Sequence, residues 1–321
     1  MELGLTDVDQ VPDLIDLVAE AASFHRPTFW PYILGETDAT SIQDYLDRYQ
    51  VSGQPMGNRL YAGLASLEPN RGLSGNMNQF RPEVALGSFS IFEFAVGCPA
   101  GGAAQEMVGV VISVDKANPF GKNQHPLTDG EPRLHIEYAH SKGGHLQYTW
   151  DGMDGEFVAN PFRRYHPGQI VPASALGGAQ VEHPIAIFQT PTGDWWIAYR
   201  QELLGYYPAK LFTTLKEGAC MSAWYGEIFN PDPQNSAVKT EMGSGKLAAA
   251  GLPNVAYVRN PKYYDLSWFG VEPIDTFPSM PSYVPACFSR SALLKGAAPW
   301  DSVLLLGGPG GKDPACKWPF P

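Results

Sequence analysis

The chain has 321 residues with 34 glycines, 29 prolines and only 17% charged residues, a balance that disfavours long helices and favours short strands between tight turns. Its formal net charge of −11 is offset by no Lys/Arg cluster, so nucleic acid and anionic membranes are poor partners. No apolar run approaches the ~18 residues that cross a bilayer, and the opening MELGLTDVDQ lacks the basic and apolar regions of a signal peptide.

Residues 1–55 read differently from the rest. Val8, Val11, Leu14, Ile15, Val18 and Ala22 recur at helical spacing, with Asp7 or Asp9 placed to cap the start. A second short helix is expected from Ser41 to Tyr49, where Ser41 precedes Asp44 in a capping-box-like arrangement. An arm packed on the main domain is the plain expectation, and a propeptide or inhibitory segment is the alternative.

Residues 56–321 are expected to form one β domain, since all-β sandwiches often exceed the usual domain length. Strands are predicted at Leu60–Leu67, Gly87–Val96, Glu106–Val114, Leu134–His140 and Leu146–Trp150. Further strands follow at Pro184–Gln189, Trp195–Arg200, Met221–Ile228, Val255–Arg259 and Val303–Leu306. Turn sequences separate them, at 142–144 (Lys-Gly-Gly) and 191–194 (Pro-Thr-Gly-Asp). One helix interrupts the series, with Pro208 in its first turn, Ala209 to Leu215 as its body and a stop near Gly218. No period of ~20–50 residues repeats, so a propeller or solenoid is not indicated.

Several familiar motifs fail on inspection. The run GGPGGK at 307–312 lacks the spacer and the following Ser/Thr of a phosphate loop, because Asp313 follows Lys312; a tight glycine turn is the better reading. His135, His140 and His145 fall five apart, which is not a zinc-binding spacing. No GxSxG elbow occurs. Cys98, Cys220, Cys287 and Cys316 form no CxxC, and their even number permits two disulfides. Cys220 lies in an apolar strand context and reads as a buried side chain rather than a nucleophile.

The centre and end of the chain carry a series of ordered motifs. Gly193–Asp194–Trp195–Trp196–Ile197–Ala198–Tyr199 is followed by Leu204–Gly205–Tyr206–Tyr207–Pro208 and Leu211–Phe212. Ala223–Trp224–Tyr225–Gly226–Glu227–Ile228, Thr240–Glu241–Met242–Gly243–Ser244–Gly245 and the segment Asn254 to Arg259 come next. Pro285–Ala286–Cys287–Phe288, Trp300, Gly307–Gly308–Pro309–Gly310 and Cys316 close the series. Upstream, Tyr61–Ala62–Gly63, Arg81–Pro82–Glu83–Val84 and Ser88–Phe89–Ser90–Ile91–Phe92–Glu93 follow the same order more loosely. Together these resemble the neprosin family over about residues 58–321.

The resemblance implies an antiparallel β-sandwich and a glutamic endopeptidase that cleaves next to proline at acid pH. Two carboxylates in one cleft cannot both ionise cheaply, so their pKa values split: one draws a proton from water, the other polarises the scissile carbonyl. Such a pair requires no cofactor and no metal. Glu227, in Trp-Tyr-Gly-Glu-Ile, takes the first catalytic position. For the second, the family's place falls on Met107, with Glu106 one residue early, so Glu106 serves if a bulge beside Gly109 turns it inward. Glu93, set in an apolar strand, is the fallback. Trp195, Tyr206, Tyr225, Trp224, Glu93 and Ser244 are the expected substrate-binding residues, and Cys287–Cys316 the expected disulfide.

Two departures stand out from the family pattern. His145–Trp150 replaces its central cysteine pair, and Val110 stands where a Trp is expected. The rival reading is a non-catalytic glycan- or cell-wall-binding module with Trp195, Trp196, Tyr206 and Tyr207 as its platform. The expected partner is a peptide or protein substrate and the expected state a monomer. A secreted or periplasmic location is expected, with the cytoplasm left open.

Overall fold

Two antiparallel sheets arise from the period-two runs, and the computed structural model describes them through residues 17–18, 20–21, 59–99, 105–116, 129–142, 145–152, 154–229, 240–273, 285–296, 300–312 and 315–316. The six-stranded sheet contains β1 (Arg59–Ser66), β3 (Phe89–Pro99), β4 (Gln105–Asp115), β5 (Arg133–Lys142), β6 (His145–Trp150) and β11 (Met221–Phe229). Its order is β1-β11-β3-β4-β5-β6. The larger sheet contains β2 (Gly72–Asn78), β7 (Val158–Ala159), β8 (Glu182–Gln189), β9 (Trp195–Tyr199), β10 (Glu202–Tyr207), β12 (Tyr257–Tyr264), β14 (Ser289–Arg290) and β16 (Ser302–Gly307). It runs β14-β16-β12-β2-β8-β9-β10-β7, with β13 (Gly270–Val271) and β15 (Leu294–Lys295) paired to β12 and β16.

Alternation decides which side chains enter the core. From the six-stranded sheet, Leu60, Ala62, Leu64, Phe92, Phe94, Val96, Val110, Ile112, Ile136 and Trp224 point inward; Leu73, Ile185, Ile187, Trp195, Ile197, Val258 and Leu304 meet them from the other sheet. Each such large apolar side chain contributes about 1.5–3 kcal/mol by leaving water. Trp224 Nε1 donates across the interface to the Ser74 carbonyl on β2 (3.1 Å), which satisfies the one polar atom that its burial carries inside. The architecture is an all-β antiparallel sandwich.

Three local readings change. β2 (GLSGNMN) was not expected as a strand: its glycines and asparagines are types depleted in strands, and they mask the alternation of Leu73 and Met77 with Ser74, Asn76 and Asn78. β10 was likewise read only as a motif leading into a helix. The helix expected from Ala209 to Leu215 is two 3-10 turns, Ala209–Leu211 and Leu215–Glu217. Phe212 breaks it by extending (φ −113°, ψ 150°) and burying its ring in the core.

Leu17 and Ala21, one helical turn apart, pack on Ala186, Phe188, Trp196, Ala198, Leu203 and Tyr264, with Val18 alongside. These residues line the outer face of the larger sheet. The predicted helix Ser41 to Tyr49 lies outside the described residues. Disulfides join Cys287 to Cys316 and Cys98 to Cys220. Cys220 is therefore not a buried thiol: it is exposed, and its bond ties the end of β3 to the start of β11.

Candidate active site

The outer face of the six-stranded sheet carries three acidic side chains at its centre. Register places Tyr61 of β1 opposite Glu227 of β11, and Tyr225 opposite Glu93 of β3. Glu93 and Glu227 are thus diagonal neighbours on adjacent strands, within reach of each other's long side chains. Across β4, Glu93 stands opposite Val111, and Gly109 stands opposite Glu137 of β5. A Cβ added at Gly109 would lie 2.8 Å from Glu137 Oε1 and 3.1 Å from Glu93 Oε1. The bare glycine leaves the space in which these two carboxyls, from strands on either side of β4, converge.

All three acids are withdrawn from water: Glu93 is 2% exposed, Glu137 0% and Glu227 3%. Three buried carboxylates this close cannot all stay ionised. Burial pushes the Glu93 carboxyl well above the usual range. The charge of Glu137 and the hydrogen bond with it push further, against the hydrogen bond from Tyr225, and the charge of Glu227 adds to the rise. Glu227 is also raised by burial, but the neighbouring Arg59 guanidinium pulls it back by charge and hydrogen bonding. Arg59 forms an ion pair with Glu227 and packs 5.5 Å from the centre of the Phe89 ring. The two acids therefore sit in opposed settings: one beside a cation, the other beside a second acid.

Tyrosines frame the pair. Tyr61 and Tyr225 meet edge to face with centroids 5.9 Å apart. Burial raises both phenols, helped by Glu227 at Tyr61 and by Glu93 and Glu227 at Tyr225, so both remain neutral donors. Met221 and Met107, aligned through Gly97, extend the same face and are half-buried, as are Tyr61 and Tyr225. Behind β11, Gly226 faces inward; a Cβ there would lie 2.6 Å from Met242 Sδ, so this strand seats against the Met242–Gly243 turn only as glycine.

A family model described as Neprosin matches residues 124–309, more than half of the chain. The chain belongs to the Neprosin family. That membership supports a glutamic peptidase. Glu137 and Glu227 lie inside the matched range, with Glu93 and Glu106 upstream of it. Among solved structures the chain is similar to scytalido-glutamic peptidase with a transition-state analogue inhibitor (TM-score 0.39, 6% identity, 77% of this chain and 97% of that chain). It is also similar to that peptidase with a peptide-based transition-state analogue (TM-score 0.37, 6% identity, 78% and 97%). A κ-carrageenase from Pseudoalteromonas carrageenovora, in complex with an oligotetrasaccharide, is similar at TM-score 0.27 and 7% identity over 52% of this chain and 53% of that chain. At these TM-scores the likenesses assign no residue a role.

The residues expected from the Neprosin resemblance divide sharply. Glu227, Tyr225 and Glu93 come together on the outer face. Glu106 does not. β4 keeps an unbroken register with β3, Met107 opposite Gly97 and Glu106 opposite Cys98, so no bulge turns Glu106 round and Met107 takes the outer face. The Glu106 carboxylate, on the other side of the sheet, accepts from Thr213 N (2.7 Å) and Oγ1 (2.6 Å), Thr214 N and Oγ1 (2.9 Å each) and Leu215 N (2.8 Å). It is an anchor for the turn that opens at Thr214.

The remaining expected binding residues also lie away from the carboxyl cluster. Trp195 is fully buried, and its Nε1 donates to the Leu215 carbonyl (2.9 Å). Trp224 faces the core. Tyr206 stacks on Trp196 at 4.7 Å on the outer face of the larger sheet, and Tyr207 is buried in the core, so Trp195, Trp196, Tyr206 and Tyr207 form no common platform. Ser244 Oγ donates to the Asn254 carbonyl (2.7 Å). Glu137 was not foreseen. Its signal was the one that marked Glu93, an acid in an otherwise apolar strand, Leu-His-Ile-Glu-Tyr-Ala.

Proposed function

We propose that this protein is an endopeptidase of the glutamic type in which Glu227 is the general base and Glu93 the general acid. The observation that carries the assignment is the contrast in setting: Arg59 is paired with Glu227, while Glu93 converges on a second buried acid, Glu137, over Gly109. Environments that separate the pKa values of two neighbouring carboxyls separate their roles. Ionised Glu227 accepts a proton from water, whose oxygen attacks the scissile carbonyl carbon. Protonated Glu93 donates a hydrogen bond to the carbonyl oxygen and then its proton to the leaving nitrogen as the C–N bond breaks. The proton held by Glu227 passes back to Glu93, which restores the starting state.

This division of labour works where Glu227 is ionised and Glu93 is not, and so favours acid pH. Proline next to the scissile bond is the specificity expected of the family, and the edge-to-face pair Tyr61–Tyr225 offers an apolar wall for such a ring. Two disulfides favour an oxidising compartment, in keeping with secretion, and the substrate of this reading is a peptide or protein, acted on by a monomer.

The test is cleavage of a proline-containing peptide across the acid range. Glu227→Gln and Glu93→Gln should each lower kcat by at least ~10²-fold, the scale of a lost general acid or base. Glu106→Gln should leave the folded enzyme within a few-fold of wild type. Full activity in Glu227→Gln would remove the glutamic mechanism.

A further inference from the structure

The third carboxyl of the cluster has no part in the two-acid mechanism. Glu137 is fully buried and belongs to β5, two strands away from Glu93, yet the two carboxyls meet over Gly109. A hydrogen bond between two carboxyl groups requires a proton on one of them. Glu93 Oε1, buried and with no hydrogen-bond partner among the described residues, and Glu137 Oε1 both border the space over Gly109, where such a proton would lie.

We propose that Glu137 is a positioning residue for the general acid: it shares one proton with Glu93 across Gly109 and so keeps that carboxyl protonated and aimed while Glu227 is ionised. The inference rests on the peptidase reading for its functional meaning, although the proton sharing itself does not. The other groups facing Glu93 do not supply this proton. From β11 come Tyr225 and Glu227, and from β1 Tyr61 and Arg59, the latter paired with Glu227. From β5, His135 is engaged by Asp151 through Nδ1 (2.8 Å). β4 presents Gly109 and Val111 at this level, which carry no charge.

Two carboxyls coupled in this way lose their protons in separated steps that belong to the pair. Glutamine at 137 keeps the volume and a hydrogen-bonding oxygen but removes the charge that holds the second proton on. The alkaline limb of the kcat/KM profile should then move down by at least about one pH unit, the scale of such coupling. Infrared titration reads the same proton without turnover. A protonated-carboxyl band should persist towards neutral pH in the wild type, disappear in Glu93→Gln and move to lower pH in Glu137→Gln.

A uniform loss of rate with limb and band unmoved would show a purely structural role and overturn the proposal. If Glu137→Gln fails to fold, Gly109→Ala gives a second route, because its Cβ forces the carboxyls apart and should shift the band in the same direction; an unshifted band there also overturns it. Failure of the peptidase reading shows separately, as full cleavage by Glu227→Gln, and the infrared titration then decides the carboxyl pair alone.

Discussion

Replacing Glu106 by alanine separates the role given by spacing from the role given by the fold. Its carboxylate takes three backbone N–H groups, from Thr213, Thr214 and Leu215, and two threonine hydroxyls. Hydroxyls can turn to other acceptors, but the backbone donors cannot. Each buried donor left unsatisfied costs about 1–3 kcal/mol, and partial access for water at the exposed Thr213 trims the sum, so the expected loss is about 3–5 kcal/mol. Glutamine retains an acceptor and should lose roughly 1–2 kcal/mol.

The pH dependence gives a second check on Glu106. Burial pushes its carboxyl upward, but hydrogen bonds from Leu215, Thr213 and Thr214 outweigh this and hold it below the ordinary 4.5. The native state therefore binds this proton less readily than the unfolded chain. The stabilisation is full above 4.5, is lost as pH falls through the lower folded value, and should be missing from Glu106→Gln. Urea unfolding at neutral pH and in acid measures both effects. Wild-type stability combined with a ~10²-fold fall in kcat would refute the anchoring argument and restore Glu106 to catalysis.

Two further outcomes follow from the geometry. Arg59→Met removes the cation that draws the Glu227 pKa down against its burial, so the acid limb of the kcat/KM profile should move to higher pH; an unmoved limb would mean that Arg59 does not tune the base. Cys287→Ser opens a disulfide spanning 29 residues, which should cost about 3–4 kcal/mol in the chain-entropy model, and an unchanged denaturation midpoint would count against its contribution.

Legibility from sequence tracked how local each feature is. Alternation located β1, β3, β4 and β11, because a strand's two faces are written in its own residues; Trp224, expected at the substrate, instead faces the core. β2 escaped because its glycines and asparagines read as turn residues rather than strand formers, although Leu73 and Met77 alternate with Ser74, Asn76 and Asn78. The error at Glu106 came from one residue of register. Spacing placed it beside the family's acid position, and a bulge was needed to turn it round; β4 pairs with β3 without one, so a single step reversed its face.

Glu93 and Glu137 show why the site was harder to read than the fold. Each stands as an acid within an apolar strand, and each alone would be a costly group to bury. Nothing within either segment says that they meet, since 44 positions separate residue 93 from residue 137. Three facts of tertiary structure bring them together: β4 lies between their strands, Gly109 is the residue of β4 opposite Glu137, and it has no side chain to keep the carboxyls apart. Gly109 is visible in the sequence, yet its effect acts on its neighbours in the sheet. The proposed sharing of a proton across it lowers the cost of burying both acids, and that same sharing leaves Glu93 protonated beside an Arg59-paired Glu227. The arrangement proposed to make the burial tolerable is thus the one that gives the two proposed catalytic carboxyls different protonation states.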